Sequence, residues 1–103
     1  MKYRIEISRQ AEIDIREIYL YIAFRLLSPR SALGQVNRLE EQIRKLDFMP
    51  EKFRVYEKDP WQSRGLRIMP VDNYIVFYLV DEMIVTIIRV MYGGRDIDEE
   101  INK

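Results

Sequence analysis

Residues 66–92 read LRIMPVDNYIVFYLVDEMIVTIIRVMY, and this stretch decides the fold. Leu66 to Pro70 give way to a turn at Asp72-Asn73, the run Tyr74–Val80 follows, a two-residue turn sits at Asp81-Glu82, and Met83–Tyr92 ends at Gly93-Gly94. β-Branched and aromatic side chains suit a pleated surface, and Asp, Asn and Gly tolerate the backbone of tight turns. The spacing predicts three consecutive antiparallel strands, a meander in which neighbours in sequence are neighbours in space.

Upstream, residues 48–65 show no period, and Pro50, Pro60 and Gly65 mark a loop of eighteen residues. Compact domains seldom carry so long a loop without a functional reason. Before it, Ala32, Val36, Leu39, Ile43 and Leu46 form an apolar stripe at helical spacing, with Arg38, Glu40, Glu41, Arg44 and Lys45 beside it. Gly34 weakens this helix by about 1 kcal/mol relative to Ala. Ser28-Pro29 ends one helix and starts the next, Ser as cap and Pro at the first helical position. The earlier helix carries Ala11, Ile15, Ile18, Ile22 and Leu26 in a stripe of about five turns. Ser8 is its N-cap, and Glu12 and Asp14 favour the positive end of its dipole. So short a connection forces an antiparallel hairpin. Tyr3, Ile5 and Ile7 alternate with charged residues, the pattern of a half-buried first strand. The order predicts an α+β domain over residues 1–103: an N-terminal strand, a helical hairpin covering one sheet face, then the meander. Periodicity does not place the first strand in the sheet.

Composition removes much chemistry. The 103 residues include no Cys and no His, which excludes disulfides, thiolate or imidazole metal sites, and Ser-His or Cys-His nucleophiles. No metal and no cofactor are expected. No apolar run exceeds the seven residues Tyr74–Val80, well short of the roughly 20 that span a bilayer, and residues 1–4 begin no signal peptide. A cytoplasmic protein without membrane contact is expected. Seventeen basic and seventeen acidic residues cancel, so no global polyanion signal exists. The charge is nonetheless uneven: residues 96–103 carry a net −3 and residues 1–95 a net +3. The acidic tail reads as a solvated end or as a cover for a basic surface.

Four side chains or groups carry candidate chemistry. Arg89 lies in an otherwise apolar strand, where a charge needs a partner. It either reaches a carboxylate such as Asp81 or Asp96, or contacts a phosphate or protein partner. Lys52, Arg54, Lys58, Arg64 and Arg67 interleave with Tyr56 and Trp61, an arrangement that suits phosphate contact and base stacking, or anchorage of the loop on the helices. Tyr92 closes the last strand beside Gly93-Gly94-Arg95; it is a general acid or base if neighbouring cations lower its pKa, and an edge-closing aromatic otherwise. Tyr19, Tyr21 and Phe24 lie partly off the first helical stripe, as an exposed partner surface or as packing under the loop.

Gly65-Leu66-Arg67, the segment 70–78 and Arg89-Val90-Met91-Tyr92-Gly93-Gly94-Arg95-Asp96-Ile97 resemble the RelE/ParE superfamily of type II toxins, as do residues 3–8, Ala11, Ile15 and Tyr21-Ile22. The resemblance implies a small growth-inhibiting toxin of an addiction or plasmid-stabilisation module, neutralised by a cognate antitoxin. One branch cleaves mRNA in the ribosome; the ParE branch poisons DNA gyrase. The Pro-Val-Asp-Asn-Tyr turn, the chain ending and the neutral charge place this sequence nearer ParE. There Arg64, Arg67, Arg89, Tyr92 and Arg95 become a target-binding surface, and Tyr21, Phe24 and Trp61 a partner-binding one. In a RelE-like enzyme, Tyr92 or a carboxylate takes the 2′-hydroxyl proton while Arg67 and Arg89 stabilise the phosphate. Ser63-Arg64 and Met91 depart from that branch, where lysines and a histidine are expected. A module that has lost toxicity and only binds antitoxin is the third reading.

Overall fold

The computed structural model describes residues 2–94 and 97–101. Strand β1 (Arg4–Ile7) leads into helix α1 (Arg9–Leu20), whose last turn widens into a π-helical segment, Tyr21–Arg25. Helix α2 (Pro29–Arg44) returns antiparallel to it. Two short 3₁₀ turns and the four-residue helix α3 (Trp61–Arg64) precede strands β2 (Arg67–Val71), β3 (Tyr74–Asp81) and β4 (Ile84–Tyr92), and α4 (Ile97–Ile101) follows. The meander is as expected, with its second turn at Glu82-Met83, one residue later than the sequence places it. Asp72 and Glu82 both adopt positive φ in these turns, a left-handed conformation that Asp tolerates better than most residues. The sheet order is β1-β4-β3-β2, and β1 pairs parallel to β4. The hairpin carries the chain back over the sheet between them, as a parallel pair requires.

Ser8 starts α1 as the sequence predicts. Its hydroxyl oxygen accepts the Ala11 N–H at 3.1 Å and donates to the Ile88 carbonyl at 3.0 Å, so one side chain caps the helix and ties it to β4. The π-helical segment changes the stripe downstream. Its wider turn, closed by Leu26 N–H to Tyr21 carbonyl, puts both Ile22 and Ala23 in the core and turns Leu26 out to solvent. Leu26 therefore leaves the predicted apolar face. In α2, Ala32, Leu39 and Ile43 are buried as expected and Val36 is half-buried, while Gln35 takes a buried place beside them. Ser28 binds the Ser31 hydroxyl rather than a helix N–H.

Strand alternation divides the core in two. Met69, Val71, Val76, Tyr78, Val85, Ile87 and Val90 meet the hairpin; Leu66, Ile68, Phe77 and Met91 face the other way. The second face is covered by the long loop and the chain end. Tyr56 meets Phe77 edge-on with ring centroids 6.0 Å apart, and Trp61, Ile97 and Ile101 pack beside it. The loop is thus anchored on the sheet rather than on the helices. The C-terminal run, read as a solvated end or a cover, carries a helical turn with Ile101 buried.

Tyr78 is fully buried, and its hydroxyl donates to the Pro50 carbonyl at 2.6 Å. Burial pushes its pKa up to about 12. The folded state then keeps a proton that the unfolded chain releases near pH 10, so stability falls as pH rises from 10 towards 12. Tyr78→Phe is expected to cost about 1–3 kcal/mol at pH 7 by stranding the Pro50 carbonyl, and to lose less stability than the parent between pH 9 and 11. Urea unfolding of both proteins across that range measures both effects.

Candidate functional site

β1 ends at Ile7, so among the described residues the outer edge of β4 from Ile88 onward has no strand beside it. Unpaired backbone groups at a buried edge are costly, and α1 supplies their partners. Ser8 takes the Ile88 carbonyl, and Asp14 Oδ2 accepts the Val90 N–H at 2.9 Å. Arg89 joins the same carboxylate, Nε to Oδ2 at 2.8 Å and Nη2 to Oδ1 at 3.2 Å; Gln10 Nε2 donates to Oδ1 at 3.0 Å. Asp14 is 6% exposed. The partner of Arg89 is thus Asp14, and the helix-dipole reading of Asp14 gives way to a core position at the edge of the sheet. Asp81 sits at the other end of β3, opposite Ile84, and Asp96 lies outside the described residues.

The same place holds a bulge. Across the β3–β4 ladder Phe77 faces Arg89 but Tyr78 faces Ile87, so Ile88 is the extra residue. It changes which face each later residue takes: Val85, Ile87 and then Val90 pack towards the hairpin.

Above Val90 a cleft of about 810 Å³ opens between the hairpin and the ends of β3 and β4. Ile18, Tyr21 and Gln35 form its helical wall, and Tyr74 and Tyr92 its strand wall. The two strand-wall rings meet edge-on at 6.0 Å. Tyr92 leans over Gly94, where a Cβ would come within 2.5 Å of the ring, so a larger residue there would push the ring aside. At the cleft mouth Arg38 Nε and Gln35 Nε2 both donate to Asp72 Oδ2, at 2.7 and 3.0 Å, fastening the β2–β3 turn to α2. The Arg38 guanidinium, and after it the Gln35 amide, hold the Asp72 carboxyl below the usual carboxylate range.

The candidate residues fall in separate places. Tyr21 and Tyr92 share the cleft. Phe24 is exposed on the hairpin and does not line it. Arg67 is turned inward: Nη1 donates to the Phe53 carbonyl at 2.7 Å and the Glu51 carbonyl at 3.2 Å, with the Glu51 carboxylate 3.8 Å from Nη2. Arg64 stacks on Trp61, its guanidinium 5.0 Å from the ring centroid, on the sheet face away from the hairpin. Arg95 lies outside the described residues. Strand spacing puts the Arg67 and Tyr92 backbones roughly 16 Å apart, four residues along and two strands across. Asp14, Gln35 and Asp72 organise the site without having been singled out for it. The available signal was the spacing of Asp14, three after Ala11 and four before Ile18, on the buried stripe. Among the described residues no three acidic side chains group in a way that could hold a metal ion. None of the described helices is long and apolar enough to cross a membrane.

A four-stranded sheet with one parallel edge strand, backed by a helical hairpin, is the architecture of RelE/ParE-like toxins. A toxin structure from the chromosomal ParDE system of Pseudomonas aeruginosa superposes with a TM-score of 0.73 at 20% identity, covering 88% of this chain and 96% of that one. A double arginine-to-alanine mutant of toxin RelE of Escherichia coli in the free state gives 0.67 at 12% identity, covering 97% and 93%. The archaeal RelE–RelB complex of Pyrococcus horikoshii gives 0.62 at 22% identity, covering 92% and 99%. No curated protein matches by sequence. The family model for the ParE toxin of the type II toxin–antitoxin system parDE matches residues 5–97, and the chain belongs to that family. It is the toxin component of a type II toxin–antitoxin system.

Removing Asp14 leaves a buried guanidinium and a strand N–H without their acceptor. Asp14→Ala is expected to cost about 3–5 kcal/mol, and Arg89→Ala a similar amount. The double variant Asp14→Leu, Arg89→Met is expected to lose clearly less than the sum of the two single losses. Urea unfolding at neutral pH, read by far-UV circular dichroism, gives all three values.

Proposed function

We propose that this toxin arrests growth in the ParE manner, by binding DNA gyrase through a contact surface that includes Tyr92, and that its cognate antitoxin neutralises it by filling the cleft between the hairpin and β4. The observation that carries the reading is the commitment of the two strand arginines. Arg67 binds loop carbonyls and Arg89 binds Asp14, both within the chain. A ribonuclease needs such guanidiniums directed at a phosphate in company with its proton-transfer group. Here the proposed proton-transfer group, Tyr92, stands apart from Arg67 and is half-exposed in the cleft. Binding needs no such convergence. Tyr21, Tyr74 and Tyr92 offer rigid aromatic contact area of the kind that anchors protein interfaces, and Phe24, Trp61, Arg64 and Arg95 extend the candidate contacts beyond the cleft. Gyrase places the action in the cytoplasm.

The antitoxin assignment draws on family membership and on the solved relative bound to RelB. Its binding raises toxin stability by mass action, by about 2.7 kcal/mol at a free concentration one hundred times Kd.

Pulse-labelling after induction without antitoxin separates the mechanisms. DNA synthesis is expected to fall before protein synthesis, and Tyr92→Phe, which removes only a hydroxyl, is expected to stay toxic. An early halt in protein synthesis, with toxicity lost in Tyr92→Phe, would overturn the gyrase reading in favour of mRNA cleavage on the ribosome.

A further inference from the structure

The end of the molecule farthest from the cleft carries apolar surface that the described residues leave uncovered. The cleft lies where Tyr74 and Tyr92 pair; at the other end of the same two strands Asp81 faces Ile84, about 26 Å back along β4. Three segments remote in sequence are tied together there. The Tyr3 N–H donates to the Asp47 carbonyl and the Arg4 N–H to the Met83 carbonyl, both at 2.8 Å, and the Tyr78 hydroxyl holds Pro50. These bonds bring half-buried Tyr3, the Phe48-Met49 pair and Met83 to one surface. Phe48 is 60% exposed, Met49 59% and Met83 37%. Leu46 and Pro50, both buried, flank the Phe48-Met49 pair and fix it to the core. Met49 adopts φ +50°, a left-handed conformation that residues other than glycine rarely take, in a turn closed by Lys52 N–H to the Met49 carbonyl; Glu82, next to Met83, adopts φ +53°. The fold thus holds both methionines outward on strained turns, a condition that persists only where the surroundings impose it.

The charge around this surface is divided. In the order that the hydrogen bonds set, the β3–β4 turn, the start of β1 and the end of α2 follow one another across the end of the molecule. Asp81 and Glu82 are exposed on the turn; Lys2 and Lys45 are exposed at the other two. Lys45 stands 3.7 Å from Glu41, an exposed pair one helical turn apart that contributes little. An apolar centre with an acidic side and a basic side is complementary to itself. A two-fold axis through it sets each side of one copy against the opposite side of the other and brings the two apolar centres together. Zero net charge adds no general repulsion between copies. Methionine suits such a contact, because its unbranched side chain adapts to the surface it meets. A lipid surface or a nucleic acid fits poorly, since either would set its phosphates against Asp81 and Glu82.

We propose that this end of the molecule is a self-association surface, on which a second copy of the chain docks about a two-fold axis. Phe48, Met49 and Met83 of the two copies form its centre, and Asp81 and Glu82 of each copy face Lys2 and Lys45 of the other. The clefts then lie at the two far ends of the dimer, both open. This goes beyond the antitoxin and gyrase assignments and does not depend on which partner fills the cleft.

The test is sedimentation equilibrium of the full chain, without antitoxin, from micromolar to millimolar concentration. The parent is expected to pass from monomer to dimer across that range. Phe48→Asp is expected to weaken association about tenfold or more, whereas Tyr92→Ala in the cleft and Leu27→Asp at the hairpin turn are expected to leave it unchanged. Two further variants test the facing charges. Asp81→Lys with Glu82→Lys makes both sides basic, and Lys2→Glu with Lys45→Glu makes both sides acidic. Each alone is expected to associate about tenfold or more weakly than the parent, and an equimolar mixture of the two is expected to associate about tenfold or more tightly than either. All the altered residues are exposed, and unchanged thermal unfolding shows that the variants fold. A parent that stays monomeric at millimolar concentration overturns the proposal, as does a dimer that Phe48→Asp leaves intact or that Tyr92→Ala or Leu27→Asp disperses. A mixture of the two charge variants that stays monomeric overturns it as well, because the proposal requires the two sides to face each other. Sedimentation of the monomer with vesicles of one-third phosphatidylglycerol that Phe48→Asp abolishes would overturn it in favour of a membrane surface.

Discussion

One carboxylate sets the geometry of the working end of this molecule. β1 is too short to accompany β4 along its length, and the edge left over must be satisfied by something other than a strand. Asp14 does this from a helix. It accepts from the Val90 N–H, Arg89 and Gln10 together, which is close to the acceptor capacity of a carboxylate and explains why burial of the charge is tolerated. The consequences run outward. The bulge at Ile88 places Arg89 and Val90 for this contact, α1 is fixed to β4 at Ser8 and again at Asp14, and the space above Val90 becomes a cleft instead of more core. Without the carboxylate, only apolar packing would hold the middle of α1 against the unpaired edge.

What could be read from residues alone follows from the range of the forces involved. The meander, the two helices, the Ser8 cap and the proline restart at Pro29 are decided by neighbours within a few positions, and they are where the sequence puts them, save that the second turn of the meander falls one residue later. The parallel placement of β1 is not legible, because the hydrogen bonds that decide it join residues about eighty positions apart. Leu26 was misplaced because a helical wheel assumes 3.6 residues per turn, and the π-helical segment after Leu20 breaks that assumption. Asp14 was hidden by its own chemistry: a carboxylate in the first half of a helix has a sufficient local explanation in the dipole, and only the sheet edge, invisible in sequence, gives it a stronger one. Arg89 was legible as a charge in need of a partner, though not which partner. The long basic and aromatic loop was legible as a loop; that Tyr56 and Trp61 close a second core under it depends on a sheet face that must first exist.

The same internal bonds bear on mechanism. Arginines in strands invite a phosphate reading, and the resemblance to ribonuclease toxins strengthens the invitation. Yet an arginine engaged with a buried carboxylate, or with two loop carbonyls, must give up those bonds before it can serve a substrate, and the Asp14 carboxylate left behind would be stranded in a low-dielectric interior. A scaffold shared with RelE across 97% of this chain uses two of its arginines to hold itself together, and the cleft beside them is walled by Tyr21, Tyr74 and Tyr92.

Zero net charge conceals this division of labour. Averaged over the chain, the balance argues against a polyanion partner, but the average combines an acidic C-terminal run with a hairpin end that has no carboxylate over 22 residues. Screening limits charge effects at the surface to about 8–10 Å at physiological salt, so a partner at the hairpin meets Arg25 and Arg30 and not the chain's total. A surface with so little net charge gains little long-range attraction, and any selectivity it has must come from contact. For a toxin that must be captured by its antitoxin, selectivity at contact range is the property that matters, because a strongly basic surface would be occupied by any nucleic acid it met before that partner arrived.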